Sequence, residues 1–208
     1  MQLVVATANQ AKFRELVAIL SDLRISFLST ASLDGYDPPI ESGTTYAKNA
    51  SAKATAAARI SGLWTLADDS GLEIDALGGQ PGPYSSRFLG VVATDRDRNQ
   101  RILDLMQGVP IDQRSARFRC AVAVAGPKGE LFLTQGCCEG IISEAIDGAG
   151  GFGYDPIFLV PDLGLTMASL SPDVKNRISH RARALEQAKP LLRRLADSVQ
   201  EGAEGTVS

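Results

Sequence analysis

The sequence has little histidine, tryptophan and cysteine, and this scarcity excludes several kinds of site. Among 208 residues there are one histidine, one tryptophan and three cysteines. There is no CxxC pair, and two of the cysteines, Cys137 and Cys138, are adjacent. A zinc site or an ordinary disulfide is therefore not expected. We expect reduced thiols that pack as small apolar side chains.

Long apolar runs and an excess of basic residues are also missing. No stretch of about 18 apolar residues could span a membrane, and the first residues do not have the pattern of a signal peptide. Lys and Arg number 21 and Asp and Glu number 24, which gives a net charge of -3. The basic face of a general duplex-binding protein is therefore not expected. We predict a cytoplasmic protein that binds neither membranes nor nucleic acid.

The hydrophobic pattern predicts an α/β protein. Leu3 to Ala6 form a short apolar run, and Phe13, Leu16, Val17 and Leu20 then follow at the spacing of one helix face. Further strands are predicted at 25–28, 64–67, 72–77, 117–125, 131–134 and 141–142. Further helices are predicted at 44–60 and from Thr94 to about 106, where Thr94 and Asp97 have the spacing of a capping box. A last helix is predicted from about 177, with a kink or interruption at Pro190. This order favours a mixed sheet with helices on its faces.

An acidic pair directly follows the apolar run at 64–67. Asp68, Asp69, Ser70 and Gly71 come at the end of this predicted strand, where the carboxylates would be partly desolvated. Two like charges so close raise each other's pKa, and a divalent cation such as Mg²⁺ would relieve the repulsion. One carboxylate could also orient or deprotonate a water molecule. A polar turn that caps the next element is the alternative, because Asp, Ser and Gly are turn residues.

Groups that could bind an anion are predicted near the first two helices. The turn from Thr7 to Lys12 would present backbone N–H groups at a helix start, with Asn9 and Lys12 as side-chain contacts. Lys53 lies on the helix behind Glu41 and could reach a phosphate. Glu41 could be a third acidic group. An ordinary turn, a solvated lysine and a solvated glutamate are the alternatives.

A glycine-rich aromatic segment and the single histidine are the last candidates. The segment from Phe152 to Asp155 follows two glycines, and it offers a stacking face for a base and an acceptor for ring N–H groups. His180 and Arg181, with Lys175 nearby, supply donors that suit purine carbonyl oxygens or phosphate. An aromatic-anchored loop and a structural histidine are the alternatives.

Five stretches of the chain carry a joint pattern. They are TANQAKFREL (7–16), ESGTTYAKNASAKA (41–54), LADDSGLEIDALGGQPGPYSSRF (66–88), GGFGYDPIF (150–158) and ISHRARAL (178–185). Together and in this order they resemble the inosine triphosphate pyrophosphatase family, also called non-canonical purine NTP pyrophosphatases or XTP/dITP diphosphatases. Each stretch alone is a weak signal, but five in order span nearly the whole chain and are specific.

The resemblance implies an elongated α/β fold of two lobes around a central mixed sheet, with the active site in the cleft. It also implies a Mg²⁺-dependent homodimer that hydrolyses ITP, dITP and XTP to the monophosphate and pyrophosphate. In the nucleotide pool this reaction would remove non-canonical purines. We assign residues 1–199 to a single catalytic domain of two lobes and residues 200–208 to a flexible tail.

Site residues follow from the resemblance by position. Asp69 is implied as the general base, and Glu41, Asp68 and Asp69 as the metal carboxylates. The implied substrate contacts are Thr7, Ala8, Asn9, Gln10, Ala11, Lys12, Lys53, Ser70, Phe152, Gly153, Tyr154, Asp155, Lys175, His180 and Arg181. The family usually has glycine where this chain has Ala8. Alanine would be strained there if the backbone needs a positive φ, and tolerated if only a close approach is needed.

Two other functions fit parts of the same pattern. One is a nucleotide-binding sensor without turnover, and the other is a related pyrophosphatase for pyrimidine or methylated nucleotides. The acidic pair, Glu41 and Lys53 favour a hydrolase over a sensor, because a pure binder has no need for a water-activating base. The intact motifs around Phe152 and His180 favour non-canonical purines.

Overall fold

The computed structural model describes residues 1–40 and 44–204. In this part of the chain the strands are β1 (Gln2–Val5), β2 (Ser26–Ser29), β3 (Thr65–Ile74), β4 (Gln80–Pro81), β5 (Ser115–Ala125), β6 (Leu131–Ile142), β7 (Phe158–Val160) and β8 (Leu165–Thr166). The α-helices are α1 (Gln10–Ile19), α2 (Tyr46–Ser61), α3 (Asp95–Leu105), α4 (Pro172–Ile178) and α5 (His180–Glu204). None of these helices combines the length and the apolar character needed to cross a membrane.

The strands form a mixed sheet. Among the described residues the order is β2-β1-β3-β5-β6-β7-β8, with β4 paired to β3. β1 runs parallel to β2 and to β3, whereas β4 is antiparallel to β3. β7 is antiparallel to both β6 and β8. The predicted α/β class and mixed sheet are therefore confirmed.

Contacts group the chain into two compact units. Unit one comprises the described residues of Met1–Asp69, Ala121–Gly136 and Arg181–Ser208, and unit two comprises Ser70–Cys120 and Cys137–His180. Each unit has its own apolar cluster. The two clusters differ in composition.

Alanine dominates the cluster of unit one. Ala50, Ala54, Ala57 and Ala58 of α2 are buried in one cluster with other small residues, which lie in strands or, for Ala6, directly after β1: Val4, Ala6, Ala67, Ala121, Ala123 and Ala125. Alanine favours the helix and carries only one methyl group. The backbone of α2 can therefore lie close to the sheet, within reach of its polar side chains.

Larger side chains fill the cluster of unit two. Phe118 of β5 packs on Phe158 of β7, with 4.4 Å between ring centroids. Ile102 of α3 is fully buried in the same cluster. The predicted capping box at the start of α3 is confirmed, because the Thr94 hydroxyl accepts the N–H of Asp97 and the Asp97 carboxylate accepts the N–H of Thr94.

Two details of the predicted elements are wrong, and a third is narrowed. The expected break after residue 67 is absent, since β3 continues through Asp68 and Asp69, whose charges are compensated as described below. The helix expected from about residue 177 is two helices that meet at Ser179. Of the two effects predicted for Pro190, an interruption is absent, since α5 continues through this residue, and a kink stays a prediction.

A buried arginine joins the end of α3 to the end of β6. Arg114 is 4% exposed and donates to the carbonyl oxygens of Met106, Val109, Ile142 and Ser143, at 2.7 to 3.3 Å. Replacing Arg114 with methionine is expected to lower the free energy of unfolding by about 3 kcal/mol, because buried carbonyl groups lose a charged donor. Urea denaturation measures this loss.

The matched control for this substitution is Arg119→Met. Arg119 is exposed and pairs with Glu73 at 2.8 Å. Its loss should cost less than about 1 kcal/mol, as is usual for exposed ion pairs. Equal losses in the two variants would contradict the structural role given to Arg114.

Candidate active site

Asp68 is a buried carboxylate surrounded by cations within unit one. It is 1% exposed. Arg181 donates to its Oδ2 through Nε at 3.2 Å and Nη2 at 3.0 Å, and Lys12 Nζ lies 3.2 Å from the same oxygen. Arg181 in turn donates through Nη1 to Glu15 Oε2 at 2.6 Å. The Asp68 carboxylate of β3 is therefore bound to a lysine of α1 and to an arginine of α5.

The electrostatics of Asp68 differ from the sequence expectation. Burial raises the pKa of this carboxyl, but the charges of Lys12, Arg181 and Lys53 outweigh burial and hold the pKa well below its ordinary value of 3.8. The expected rise from a neighbouring aspartate does not prevail, because these three cations outweigh it. Asp68 is consequently ionised at neutral pH.

Asp69 has a separate set of partners on α2. Asn49 Nδ2 donates to its Oδ2 at 2.9 Å, and Lys53 Nζ lies 3.6 Å from its Oδ1. Asn49 and Lys53 are one helical turn apart and so lie on the same face of α2. Asp69 is 5% exposed. Its two oxygens are therefore oriented by an amide and an ammonium in a nearly water-free environment, where a carboxylate can accept a proton from a bound water.

The turn from Thr7 to Lys12 has the predicted strand-to-helix form. Asn9 is the N-cap of α1, because its Oδ1 accepts the N–H groups of Ala11 and Lys12 at 2.9 and 3.1 Å. The Thr7 hydroxyl accepts the N–H of Asn9. The N–H groups of Ala11 and Lys12, which were predicted to face an anion, thus donate to Asn9 instead. The cationic group of the turn is the Lys12 ammonium.

Ala8 is not strained in this turn. Among the described residues Leu89 alone of the non-glycine residues has a positive φ. The backbone at Ala8 is therefore compatible with any L-residue. The sequence left open whether alanine is strained at this position. The structure shows that it is not.

The predicted third metal carboxylate, Glu41, lies outside the described residues. Within residues 1–40 and 44–204 there is no group of three or more His, Cys, Asp or Glu side chains arranged to hold a metal ion. The described carboxylates available to a cation at this site are those of Asp68 and Asp69. The metal set proposed from the sequence thus stays a prediction.

In unit two, the aromatic segment at 152–155 is organised around the Asp155 carboxylate. Asp155 is 3% exposed, and its Oδ2 accepts the N–H of Phe152 at 2.8 Å and contacts Lys175 Nζ at 2.5 Å. Lys175 Nζ also lies 4.8 Å from the centroid of the Phe152 ring. Asp155 and Lys175, which were predicted to contact substrate, therefore hold the aromatic segment in shape.

Two further bonds fix the same segment. The Tyr154 hydroxyl donates to the carbonyl of Ser85 at 2.9 Å, and burial raises the pKa of this phenol. The Ser85 hydroxyl accepts the N–H of Leu72 in β3 at 2.9 Å. Tyr154 is consequently anchored through Ser85 to Leu72 of β3.

His180 and Ser70 complete the predicted set. His180 is the first residue of α5, is 5% exposed, and stacks on Phe118 with 4.7 Å between ring centroids. Ser70 follows Asp69 in β3 and is half-buried. The stacking fixes the plane of the imidazole ring, and so the directions in which its nitrogens can bond.

Two residues of the cluster in unit one were not selected from the sequence. Glu15 binds Arg181, and Asn49 binds Asp69. A helical pattern was available for both, since Glu15 is three residues from Lys12 and Asn49 is four from Lys53. The sequence alone did not distinguish them from solvated polar residues of amphipathic helices.

Replacing Asp68 with asparagine tests the charge assignment. We expect the free energy of unfolding at neutral pH to fall by about 3 kcal/mol, because buried Arg181 and half-buried Lys12 lose a counter-ion. The pKa of Asp68 is lower in the folded than in the unfolded chain. Its stabilising effect is thus complete above about pH 4 and is lost as the pH falls through the folded-state pKa.

Urea denaturation at several pH values measures this effect. The difference in stability between the wild type and Asp68→Asn should be constant from about pH 7 to about pH 5 and should shrink below about pH 4. Asp22→Asn is the control, because Lys189 also lowers the pKa of this exposed carboxyl. Its loss should cost less than about 1 kcal/mol. A difference for Asp68 that does not change with pH would contradict the assignment.

Gly151 tests the packing of the aromatic segment. It has a φ of 70°, and a Cβ atom there would overlap the Asp155 carboxylate. Gly153 has a φ of 63°, but no atom lies within 4 Å of its hypothetical Cβ. Both alanine variants should lose about 1–2 kcal/mol of stability from the backbone, and Gly151→Ala should lose about 1–3 kcal/mol more from the overlap. Equal thermal stability of the two variants would refute this packing.

Comparisons with known proteins agree with the resemblance seen in the sequence. Residues 3–191 match the Ham1 family model. The chain is 47% identical over 195 residues to the dITP/XTP pyrophosphatase of Desulforamulus reducens, covering 94% of this chain and 97% of that one. It is 45% identical over 188 residues to the dITP/XTP pyrophosphatase of Geobacter sulfurreducens, with coverages of 90% and 94%.

Solved structures give the same result. A HAM1 protein from Coxiella burnetii matches with a TM-score of 0.83 at 41% identity, and the Staphylococcus aureus Ham1 protein with a TM-score of 0.81 at 36% identity. Both matches cover 92% of this chain and 98% of the other chain. With its fold, its sequence and its acidic and aromatic motifs in agreement, this chain belongs to the Ham1 family.

Proposed function

We propose that this protein hydrolyses dITP, ITP and XTP to the monophosphate and pyrophosphate, by attack of water on the α-phosphorus. The observation that carries the proposal is the desolvated Asp69 carboxylate, which is held by Asn49 and Lys53 next to the ionised Asp68 in β3. The substrate class is supported by the relatives named dITP/XTP pyrophosphatases.

Two lysines of unit one suit a triphosphate. Phosphoryl-type transfer needs charge neutralisation and positioning more than covalent help. Lys12 Nζ and Lys53 Nζ are held near Asp68 and Asp69 at 3.2 and 3.6 Å. An ammonium has three donors, so each lysine can bind a phosphate oxygen while its aspartate keeps it in place.

Asp69 is the general base in this proposal. As the water oxygen forms its bond to the α-phosphorus, its proton passes to the Asp69 carboxylate. The bond between the α-phosphorus and the bridging oxygen breaks, and pyrophosphate leaves with the electron pair. Asn49 orients one carboxylate oxygen and Lys53 the other, so the base does not have to reorganise during the reaction.

Mg²⁺ is the proposed cofactor, and the chemistry of the donor set fits it. Mg²⁺ is usually held by one or two carboxylates together with substrate phosphates. Asp68, which its low pKa keeps ionised, and Asp69 would hold the ion, with Glu41 as a third candidate. When bound, the ion supplies positive charge to the phosphates and to the leaving pyrophosphate.

We propose that the aromatic segment of unit two binds the nucleobase. Phe152 offers a stacking face, and His180 is a hydrogen-bond donor whose ring plane is fixed by Phe118. Hypoxanthine and xanthine carry a 6-oxo acceptor, whereas adenine carries a 6-amino donor. A mispaired buried polar group costs about 1–3 kcal/mol, which corresponds to roughly 5- to 150-fold in kcat/KM.

The activity is tested by product analysis with ITP, dITP, XTP, GTP, ATP and dTTP, in Mg²⁺ and in EDTA. Release of pyrophosphate and monophosphate that is fastest for the first three and stops in EDTA is the expected result. Orthophosphate as the first product would contradict attack on the α-phosphorus. Binding without turnover would favour the sensor, and fastest turnover of dTTP would favour a pyrophosphatase for other nucleotides.

The role of Asp69 is tested by Asp69→Asn. We expect kcat for ITP to fall at least about 100-fold, because the amide cannot accept the proton. The dissociation constant for ITP in EDTA should change less than about threefold, since Asn has the same shape and the lysines remain. Asp75→Asn is the control, because Asp75 binds Ser115 and Arg117 after the end of β3. A kcat near that of the wild type in Asp69→Asn would exclude this base.

We also propose that the protein acts as a cytoplasmic homodimer. This proposal is supported by the family resemblance and by the composition. Light scattering of the purified protein, together with fractionation of the cells that produce it, tests both parts directly.

A further inference from the structure

Helix α3 binds both backbone groups of one residue in the aromatic segment. Asp95 Oδ2 accepts the N–H of Gly153 at 2.7 Å, and Asn99 Nδ2 donates to the carbonyl of Gly153 at 3.0 Å. Asp95 and Asn99 are four residues apart, and so project from the same face of α3. Neither was selected as a site residue from the sequence.

Hydrogen bonds to the backbone restrict the conformation of the aromatic segment most strongly at Gly153. It lies between Phe152 and Tyr154 and has a φ of 63°. Glycine has more backbone freedom than any other residue. Its N–H belongs to the peptide group shared with Phe152, and its carbonyl to the peptide group shared with Tyr154. The two bonds from α3 therefore fix both peptide planes around the most flexible point of the segment.

The helix side of this contact is fixed as well. Asp95 uses Oδ1 to bind Arg98 Nη1 at 3.2 Å, which leaves Oδ2 directed to Gly153. Arg98 donates in addition to the carbonyls of Phe88 and Gly90 at 3.0 and 3.2 Å. The Asp95 carboxylate is thus held by a charged partner and does not depend on the loop for its own position.

The side chain of Asn99, like that of Asp95, is oriented toward the backbone of Gly153. It is 2% exposed, and within the described residues its Oδ1 has no hydrogen-bond partner. The orientation of the amide follows from chemistry, because the Gly153 carbonyl can only accept. A buried acceptor without a partner is unfavourable, and a leucine of similar size would not carry one. What asparagine supplies at this position is the donor to Gly153.

We propose that Asp95 and Asn99 are positioning residues that hold the aromatic segment in its nucleobase-binding conformation. This inference rests on the proposed function, in which the segment binds the base. A segment that must first be ordered binds more weakly, because ordering opposes association. None of the proposed hydrolytic groups on β3 and α2 takes part in these hydrogen bonds. Loss of the bonds should therefore raise KM and leave kcat nearly unchanged.

Three variants at the start of α3 test the proposal. Asp95→Ala removes the acceptor for Gly153, and Asp95→Asn keeps an acceptor oxygen without the charge. Asp97→Ala is the matched control, because it removes a carboxylate of the same helix terminus that caps Thr94. Two quantities are measured for each: hydrogen exchange of the Gly153 amide by NMR, and KM and kcat for ITP.

We expect the Gly153 amide in Asp95→Ala to exchange at least about tenfold faster than in the wild type. KM for ITP should rise about tenfold, with kcat within about twofold. Asp95→Asn should restore both values, and Asp97→Ala should leave both near those of the wild type. Unchanged exchange or unchanged KM in Asp95→Ala, or an equal effect of Asp97→Ala, would overturn the proposal.

A second variant separates positioning from folding. Asn99→Leu removes the donor to Gly153 together with the unpartnered acceptor. It should raise KM for ITP without lowering the midpoint of urea denaturation, and a rise in KM only in proportion to lost stability would overturn the role of Asn99. If the wild type released no pyrophosphate from ITP, the proposed function would fail. Gly153 exchange in Asp95→Ala would then still decide the positioning role, because exchange does not depend on activity.

Discussion

The burial of the Asp68 charge is the constraint on which much of unit one depends. An ionised carboxylate without solvent is strongly unfavourable unless cations and donors compensate it. Here the compensation comes from Lys12 on α1 and Arg181 at the start of α5, and Glu15 balances the guanidinium on its other side. Because these groups lie on different elements, α1, β3 and α5 must be assembled together before the charge is stabilised. The same constraint places the helix that carries Lys12 beside the acidic pair.

Asp68 and Asp69 have different hydrogen-bonding partners, and the two carboxylates are therefore suited to different chemical roles. Arg181 presents a rigid fork of donors to Asp68, and such a pair holds its geometry well. Asp69 is bound by a neutral amide and by a lysine at the longer distance of 3.6 Å. Its environment can change when a phosphate attracts the lysine. These partners support the proposal that Asp68 serves positioning and charge, and Asp69 proton transfer. The alanine face of α2 makes this possible, because it brings Asn49 and Lys53 close to the strand.

Local patterns predicted the opening strand, the turn and α1, the alanine-rich helix and the capping box of α3, because neighbouring residues determine them. The acidic pair was expected to end a strand, and its composition alone favoured a turn. It lies within β3 because partners from distant parts of the chain compensate the charges, and no local pattern contains them. Motif order selected Lys12, Lys53 and Arg181 as substrate contacts, which stays a prediction, and all three pair with the aspartates of β3. It did not predict that Arg181 binds Asp68, or that Asn49 binds Asp69, since both depend on packing between elements.

The most direct test of the account is the fate of the water oxygen. Hydrolysis of ITP by the wild-type protein in water enriched in ¹⁸O, followed by mass spectrometry of both products, shows which phosphorus is attacked. If a water activated by Asp69 attacks the α-phosphorus, the label appears in the monophosphate and the pyrophosphate is unlabelled. Label in the pyrophosphate would show attack on the β-phosphorus and would contradict the account.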